Sequence, residues 1–282
     1  MLSNQNTVLV VLSVNNWLGY KYDKKASQET TEQHKMEKGA GRFNKKLVPK
    51  YALKPIKTVI QDFKIFFIEN TLPFEGLIGT RILPASSFID FSNTASEVND
   101  QLSEKVDNFI KDYQTYKEQA QRMLGSLYNE SDYPSVDKLP ELFNINVRYL
   151  PVPESQNFNT VLGNTQIREL NDQLARSAEL SVEELFFRAY TVLTKLWNVL
   201  DGETQRIFHS TTVGNIEKTI SQLNKLNYLN RPEVTQLQNM MESDVTGVKI
   251  HLIKESKVYC RKTRERIQPI LDFIAKYYEF TS

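Results

Sequence analysis

The residues whose types and spacing could do chemistry are Lys and Arg side chains concentrated in two short segments. Residues 21–57 contain eleven Lys and Arg against four Asp and Glu, a local balance of +7. Residues 249–266 contain seven against two, a balance of +5. The whole chain carries a net charge of only +1, so the remaining residues sum to −11. An asymmetry of this kind can mark a site for a polyanion.

The first basic segment combines its cations with aromatic rings. Cations that follow a line of phosphates, with rings on which bases can stack, are what a protein that binds single strands requires. An ordinary solvated surface explains the same composition, and both interpretations stay open at this stage. The candidate nucleic-acid contacts in this segment are Arg42, Phe43, Lys45, Lys46, Lys50, Tyr51, Lys54 and Lys57.

The second basic segment repeats its cations at helical spacing. An apolar stripe that includes Cys260 is predicted on the opposite face of this helix, which makes the cysteine a core residue rather than a nucleophile. The basic face is predicted from intervals of three and four residues between Lys254, Lys257, Arg261 and Arg264. The candidate nucleic-acid contacts here are Lys257, Arg261, Arg264 and Arg266.

Other kinds of chemistry are not indicated. No glycine-rich run ends in the Gly-Lys-Ser or Gly-Lys-Thr that a phosphate-binding loop requires. The three histidines, His34, His209 and His251, lie far apart in the sequence, and none has a second metal ligand at helical spacing. We therefore expect a non-enzymatic protein without a cofactor or a metal.

The composition is that of a folded intracellular protein. Hydrophobic residues make up 40% of the 282 and charged residues 24%, which is ordinary for a globular fold. A single cysteine excludes an internal disulfide and suits a reducing compartment. The apolar run of residues 8–12 is far shorter than the roughly 20 residues that a bilayer span needs. No basic residue precedes it, as one would in a signal peptide. The expectation is a soluble, cytoplasmic protein.

The pattern of apolar residues predicts an α+β fold in which helix dominates, with short N-terminal and central strands. The strands are expected at residues 8–12 and 143–150. A helix is predicted to begin near Pro55. A long helix is predicted over residues 94–128, starting at a capping box formed by Thr94 and Glu97.

The chain after residue 155 is expected to be all-helical. One helix is predicted over residues 164–178, and a second begins at a capping box formed by Ser181 and Glu184. Further helices are predicted around residues 213–223, from Pro232 onward, and at the C-terminus. The predicted organisation is an α+β region over residues 1–155 and a helical region over residues 156–282, which could also form one continuous domain.

Several short motifs occur in an order that resembles a family of bacteriophage and conjugative-element proteins of largely unassigned function. One departure is Phe74, where the family has tryptophan. The motifs are Leu12-Ser13-Val14, Trp17-Leu18-Gly19, Thr71-Leu72-Pro73-Phe74, Gly79-Thr80-Arg81-Ile82-Leu83-Pro84, Tyr133-Pro134-Ser135 and Pro151-Val152-Pro153. The resemblance implies a place among phage DNA-replication and recombination genes, or beside a MoxR-like ATPase with a von Willebrand A-domain partner. It supplies no catalytic residues.

Two hypotheses follow from the residues and the resemblance together. The first is a non-enzymatic protein of phage DNA metabolism in the cytoplasm of the infected bacterium, which binds single-stranded DNA through its basic segments. The alternative is an adaptor or assembly protein whose long helices engage an ATPase partner or further copies of the chain, giving a homo-oligomer. An unrecognised enzyme ranks third, because it would need a deep pocket with converging polar groups.

Overall fold

The computed structural model describes residues 2–3, 5–75, 78–154, 163–200 and 211–278. The fold is α+β and predominantly helical, as predicted. The strands are β1 (Thr7–Asn16), β2 (Tyr20–Tyr22), β3 (Asn44–Lys46), β4 (Leu72–Pro73), β5 (Thr80–Pro84) and β6 (Phe143–Leu150). The helices are α1 (Lys24–Gln33), α2 (Lys54–Glu69), α3 (Phe88–Lys111), α4 (Tyr113–Leu124), α5 (Asn164–Val199), α6 (Thr211–Leu226), α7 (Pro232–Asp244), α8 (Ile250–Glu255) and α9 (Lys257–Tyr277).

The strands form two sheets. Four strands make a sheet in the order β4-β5-β1-β6, in which β1 and β4 both run antiparallel to β5. The other sheet is an antiparallel pair of β2 and β3, in which Tyr20 lies opposite Lys46, Lys21 opposite Lys45, and Tyr22 opposite Asn44. Each strand of this pair has only three residues, so its stability depends on what its side chains contact.

The chain divides into two compact units, each built from separate stretches of sequence. Unit 1 comprises Met1–Val11, Ile68–Phe91 and Arg148–Ser282, and unit 2 comprises Leu12–Phe67 and Ser92–Val147. All of the predicted helical region, residues 156–282, belongs to unit 1. Unit 1 also takes three stretches from the predicted α+β region, residues 1–11, 68–91 and 148–155. The first two come together because β1 pairs with a strand some seventy residues further along the chain.

The core of unit 1 is built around α5. This 36-residue helix packs against α6, α7 and α9, and its inward side chains include Leu185, Phe186 and Leu196. The predicted break before Ser181 is wrong. Ser181 is buried, and its hydroxyl donates to the carbonyl of Ser177 at 2.9 Å inside the helix instead of capping a new one.

The core of unit 2 lies around Trp17. Its indole meets the rings of Phe109, Tyr113 and Phe143 edge to face, with centroids 6.1, 6.4 and 6.5 Å away. Such edge-to-face pairs add to the stabilisation that burial provides. Ile56, buried on α2, belongs to the same core.

The predicted long helix of residues 94–128 is two helices. The first, α3, already begins at Phe88, so the predicted capping box at Thr94 lies inside a helix and is wrong. Most of the predicted range is helical, but α3 ends at Lys111 and α4 starts at Tyr113, with Asp112 between them. Gly125, at a φ of 53°, then ends α4.

The C-terminal basic segment is divided between α8 and α9. The break falls at Ser256, whose Oγ accepts a hydrogen bond from the Tyr259 amide at 3.2 Å and caps α9. Cys260 is half-buried against the core of unit 1, as predicted, and its thiol donates to the Ile253 carbonyl at 3.2 Å. Within the residues that the structure describes, no helix combines the length and apolarity that crossing a bilayer requires.

Candidate nucleic-acid interface

Lys45, one of the predicted phosphate contacts, is buried in unit 2 at 6% exposure. Its ammonium lies 2.5 Å from Oδ2 of Asp132 and 3.0 Å from Oδ2 of Asp23. It also donates to the carbonyl of Leu127 at 3.1 Å. Two carboxylates and one carbonyl thus surround the ammonium. Lys45 is therefore a buried structural residue whose charge is paired inside unit 2 rather than open to a phosphate, which corrects the prediction.

The sheet register explains how Lys45 comes to be buried. Lys21 and Lys45 are partners across β2 and β3, so both side chains leave the sheet on the same face. Lys21 lies 2.8 Å from Oδ1 of Asp132 on that face. Asp23 is held there because it caps α1, accepting a hydrogen bond from the Ala26 amide at 2.9 Å. Two lysines and two carboxylates thus form one charge cluster.

The cluster shifts the pKa values of its members toward the charged forms. Burial opposes the charge on Lys45, but hydrogen bonds to Asp132 and Asp23 outweigh it and raise the lysine pKa. Burial also opposes the charge on Asp132, and the hydrogen bonds it accepts from Lys21 and Lys45 outweigh it and lower its pKa. The Ala26 amide and the Lys45 ammonium lower the pKa of Asp23. The three buried or half-buried groups therefore stay charged at neutral pH.

The opposite face of the β2–β3 pair is exposed and carries two rings. We name it the tyrosine face; it consists of Tyr20, Tyr22, Asn44 and Lys46. The two tyrosines are 49% and 46% exposed. The guanidinium of Arg42 lies 5.3 Å from the centroid of the Tyr22 ring, within range of a cation–π contact. No carboxylate stands on this face of either strand.

The sequence interpretation missed Tyr20 and Tyr22 as candidate site residues. The available signal was the alternation Tyr-Lys-Tyr, which places both rings on one side of a strand and the lysine on the other. Three residues are too short a run to distinguish a strand from a loop. The two predicted stacking rings, Phe43 and Tyr51, are 37% and 58% exposed.

The other candidates of the first segment differ in how freely they face solvent. Lys46, Lys50 and Lys54 are exposed and form no ion pair with any described residue. Lys57 is half-buried and donates to the carbonyl of Leu18 at 3.3 Å. These positions leave at least three lysine ammoniums of unit 2 able to contact phosphates.

Tyr51 contacts two residues of α4. Its hydroxyl donates to Gln119 at 2.7 Å, and its ring meets that of Tyr116 edge to face at 6.0 Å. The ring is therefore partly engaged within the protein, unlike the two rings of the tyrosine face.

The second basic segment lies in unit 1, so the two segments belong to different units. Lys257 and Arg266 are exposed. Arg261 is also exposed and has Glu265 at 3.9 Å, one helical turn away. Arg264 is half-buried, with its guanidinium 4.3 Å from the centroid of the Trp197 indole. The side chain of Lys254 lies outside what the structure describes.

Two arginines of unit 1 contact the segment around Thr71. Arg81 on β5 reaches across to Thr71, donating to its hydroxyl at 2.7 Å and to its carbonyl at 3.0 Å. Arg188 on α5 donates to the carbonyls of Ile68, Glu69 and Thr71 at 2.9–3.0 Å, which satisfies the end of α2. The two arginines thus hold the β4–β5 hairpin and the end of the preceding helix within unit 1.

No group of three His, Cys, Asp or Glu side chains in the described ranges is arranged to hold a metal ion. His34 and His251 are exposed, and His209 falls outside those ranges. Comparison of the chain with protein-family models, curated proteins and solved structures gives no match. The case for a function therefore depends on the geometry and charges described above.

Proposed function

We propose that this is a non-enzymatic protein of phage DNA metabolism that binds single-stranded DNA through unit 2. The observation that carries the proposal is a basic stretch without acidic residues, most of whose cations the fold leaves exposed. Residues 38–61 contain seven Lys and Arg and no Asp or Glu. Apart from Lys45, which is paired internally, these cations include Arg42, Lys46, Lys50 and Lys54, all exposed. Exposed cations without carboxylate neighbours in sequence suit a phosphate backbone.

The exposed rings of unit 2 support a single strand rather than a duplex as the ligand. Bases in a duplex are stacked on one another, whereas unpaired bases can leave the stack and lie on aromatic side chains. A strand bound in this way would be held by phosphate contacts and by stacking together. The placement in phage DNA metabolism comes from the family resemblance alone.

The test is binding of a fluorescent single-stranded oligonucleotide, titrated across salt concentrations with duplex DNA as the comparator. Micromolar binding that falls steeply with the logarithm of salt concentration is expected, together with a preference for the single strand. Replacing Lys46, Lys50 and Lys54 by Gln should reduce the salt slope by about 2, since each single-strand phosphate contact contributes about 0.7. The matched control replaces Lys195, Lys225 and Lys262 by Gln, which are exposed lysines of unit 1 outside the candidate contacts. Absence of binding at low salt would refute the proposal.

A groove in unit 1 favours the alternative function of an adaptor. It has a volume of about 780 Å³, and its lining is mainly apolar, including Leu2, Leu174, Ala178 and Leu229. Ion pairs of Glu75 with Arg176 and of Glu179 with Arg231 lie beside it. An apolar groove with a charged rim suits a protein ligand. A stable homo-oligomer or ATPase complex without affinity for nucleic acid would favour this function over the first.

A further inference from the structure

The tyrosine face differs from an ordinary patch of surface because it presents two rings in a defined register. Tyr20 and Tyr22 are two residues apart on one strand, so both side chains project from the same face. Neither hydroxyl has a hydrogen-bond partner among the described residues. The fold thus leaves two adjacent aromatic rings half exposed, and the contact described for them is that of the Arg42 guanidinium with the Tyr22 ring.

The spacing of the two rings determines which kind of nucleic acid can stack neighbouring bases on both of them. Residues two apart on a strand are separated by about 6.6 Å. Consecutive bases in a duplex are about 3.4 Å apart, which is half that distance. A duplex therefore cannot place neighbouring bases on Tyr20 and Tyr22, whereas an extended strand whose bases have separated can.

Each ring also has a cation beside it. Lys46 is the register partner of Tyr20 across the sheet, and the Arg42 guanidinium lies 5.3 Å from the Tyr22 ring. A stacked base brings its own phosphate with it, so one cation per ring matches one phosphate per nucleotide. Asp23 follows Tyr22 directly, but its carboxylate is held by Lys45. The charge on this face is therefore complementary to a nucleic-acid strand.

We infer that the tyrosine face is a stacking site for two consecutive unpaired bases, one on Tyr20 and one on Tyr22, with Lys46 and Arg42 contacting the adjacent phosphates. The inference rests on the proposed function and specifies where and how the strand is held. The site contacts the flat faces of the bases, which every base has, and therefore accepts any base sequence.

The experiment compares Tyr20→Leu/Tyr22→Leu with Tyr20→Phe/Tyr22→Phe, using a normal oligonucleotide and one of the same length in which every base has been removed. The leucine variant should bind the normal oligonucleotide at least tenfold more weakly, and the phenylalanine variant should match the wild type. The leucine variant should also lose the preference for the normal oligonucleotide over the abasic one. Tyr277→Leu, which removes a 44% exposed tyrosine of unit 1, is the matched control.

The outcomes separate this inference from the proposed function. If the wild type binds and the leucine variant binds equally well, the stacking site is refuted while single-strand binding stands. If the wild type does not bind, both fail. Should the leucine variant be misfolded by circular dichroism, photocrosslinking of the wild type to a 5-iodouracil oligonucleotide decides instead. Crosslinks at Tyr20 or Tyr22 support the site, and crosslinks confined to other residues overturn it.

Discussion

Replacing Lys45 by Met should destabilise unit 2, whereas replacing the adjacent Lys46 by Met should not. Removing one partner of a buried ion pair costs about 3–5 kcal/mol, because the other charge stays buried without compensation. Here Asp132 keeps its contact with Lys21, and Asp23 keeps the Ala26 amide. The loss for Lys45→Met should therefore lie near the lower limit, at about 3 kcal/mol. Lys46 is exposed, so its replacement should change stability by less than about 0.5 kcal/mol.

The assay is urea unfolding followed by tryptophan fluorescence in a Trp197→Phe background. The chain has two tryptophans, so this substitution leaves Trp17, which is partly buried and packs against the core of unit 2, as the only tryptophan reporter. Oligonucleotide binding is measured in parallel under native conditions. Lys45→Met should lower the midpoint of the Trp17 transition, and Lys46→Met should weaken binding with the midpoint unchanged.

Two results would contradict this reasoning. If Lys45→Met leaves the free energy of unfolding of unit 2 within about 0.5 kcal/mol of the wild type, the charge cluster is not a stabilising element. If Lys45→Met instead weakens oligonucleotide binding as much as Lys46→Met does, with stability unchanged, the buried position of Lys45 is wrong. The adjacent lysine serves as an internal control, since both substitutions remove the same charge from neighbouring positions.

Three further outcomes are expected. Asp23 and Asp132 have lowered pKa values in the folded protein, so their charged forms stabilise unit 2. This contribution is fully present above the unfolded aspartate pKa of about 3.9. It should disappear in urea titrations as the pH falls through the folded pKa values. An acid-insensitive Trp17 midpoint would contradict it. Arg188→Met should lower the free energy of unfolding of unit 1 by about 2 kcal/mol, measured by Trp197 fluorescence, since three carbonyls lose a charged donor. Gly19→Ala should destabilise unit 2 by about 2–4 kcal/mol in the Trp17 assay, because φ is 73° and the new Cβ would lie 2.5 Å from Leu53; an unchanged midpoint would refute this.

The elements that sequence reasoning predicted correctly are those whose signals are local. The strand β6 follows from alternation over eight residues, and the start of α7 follows from Pro232 at a first helical turn. The capping boxes at Thr94 and Ser181 failed because a cap and a helix interior can have the same local sequence. The sequence becomes a helix interior when the residues before it also pack against the core as helix, and a cap when they do not. The rest of the fold decides between these outcomes.

The candidate site could be predicted only in outline. The basic run of residues 38–61 is visible in the sequence, but Lys45 and Lys46 are equivalent there. What separates them is Asp132, which the fold brings to one face of β2 and β3 from almost ninety residues away. A contact of that sequence separation has no local signature. The register of β2 and β3 places Lys45 on the buried face of the pair and Tyr20 and Tyr22 on the exposed face.

The composition of the two units has a consequence for the order in which the chain can fold during synthesis. Every residue of unit 2 has been made once the ribosome has passed Val147, whereas unit 1 still lacks α5 to α9 at that point. Leu9 and Ile82 belong to the same core as those helices, so their apolar side chains cannot be fully buried until the helices have been made. Domains generally fold as units during translation. A chain interrupted near residue 150 would thus carry a complete unit 2 joined to unburied strands, a ready substrate for the proteases and chaperones that remove or hold unfinished chains.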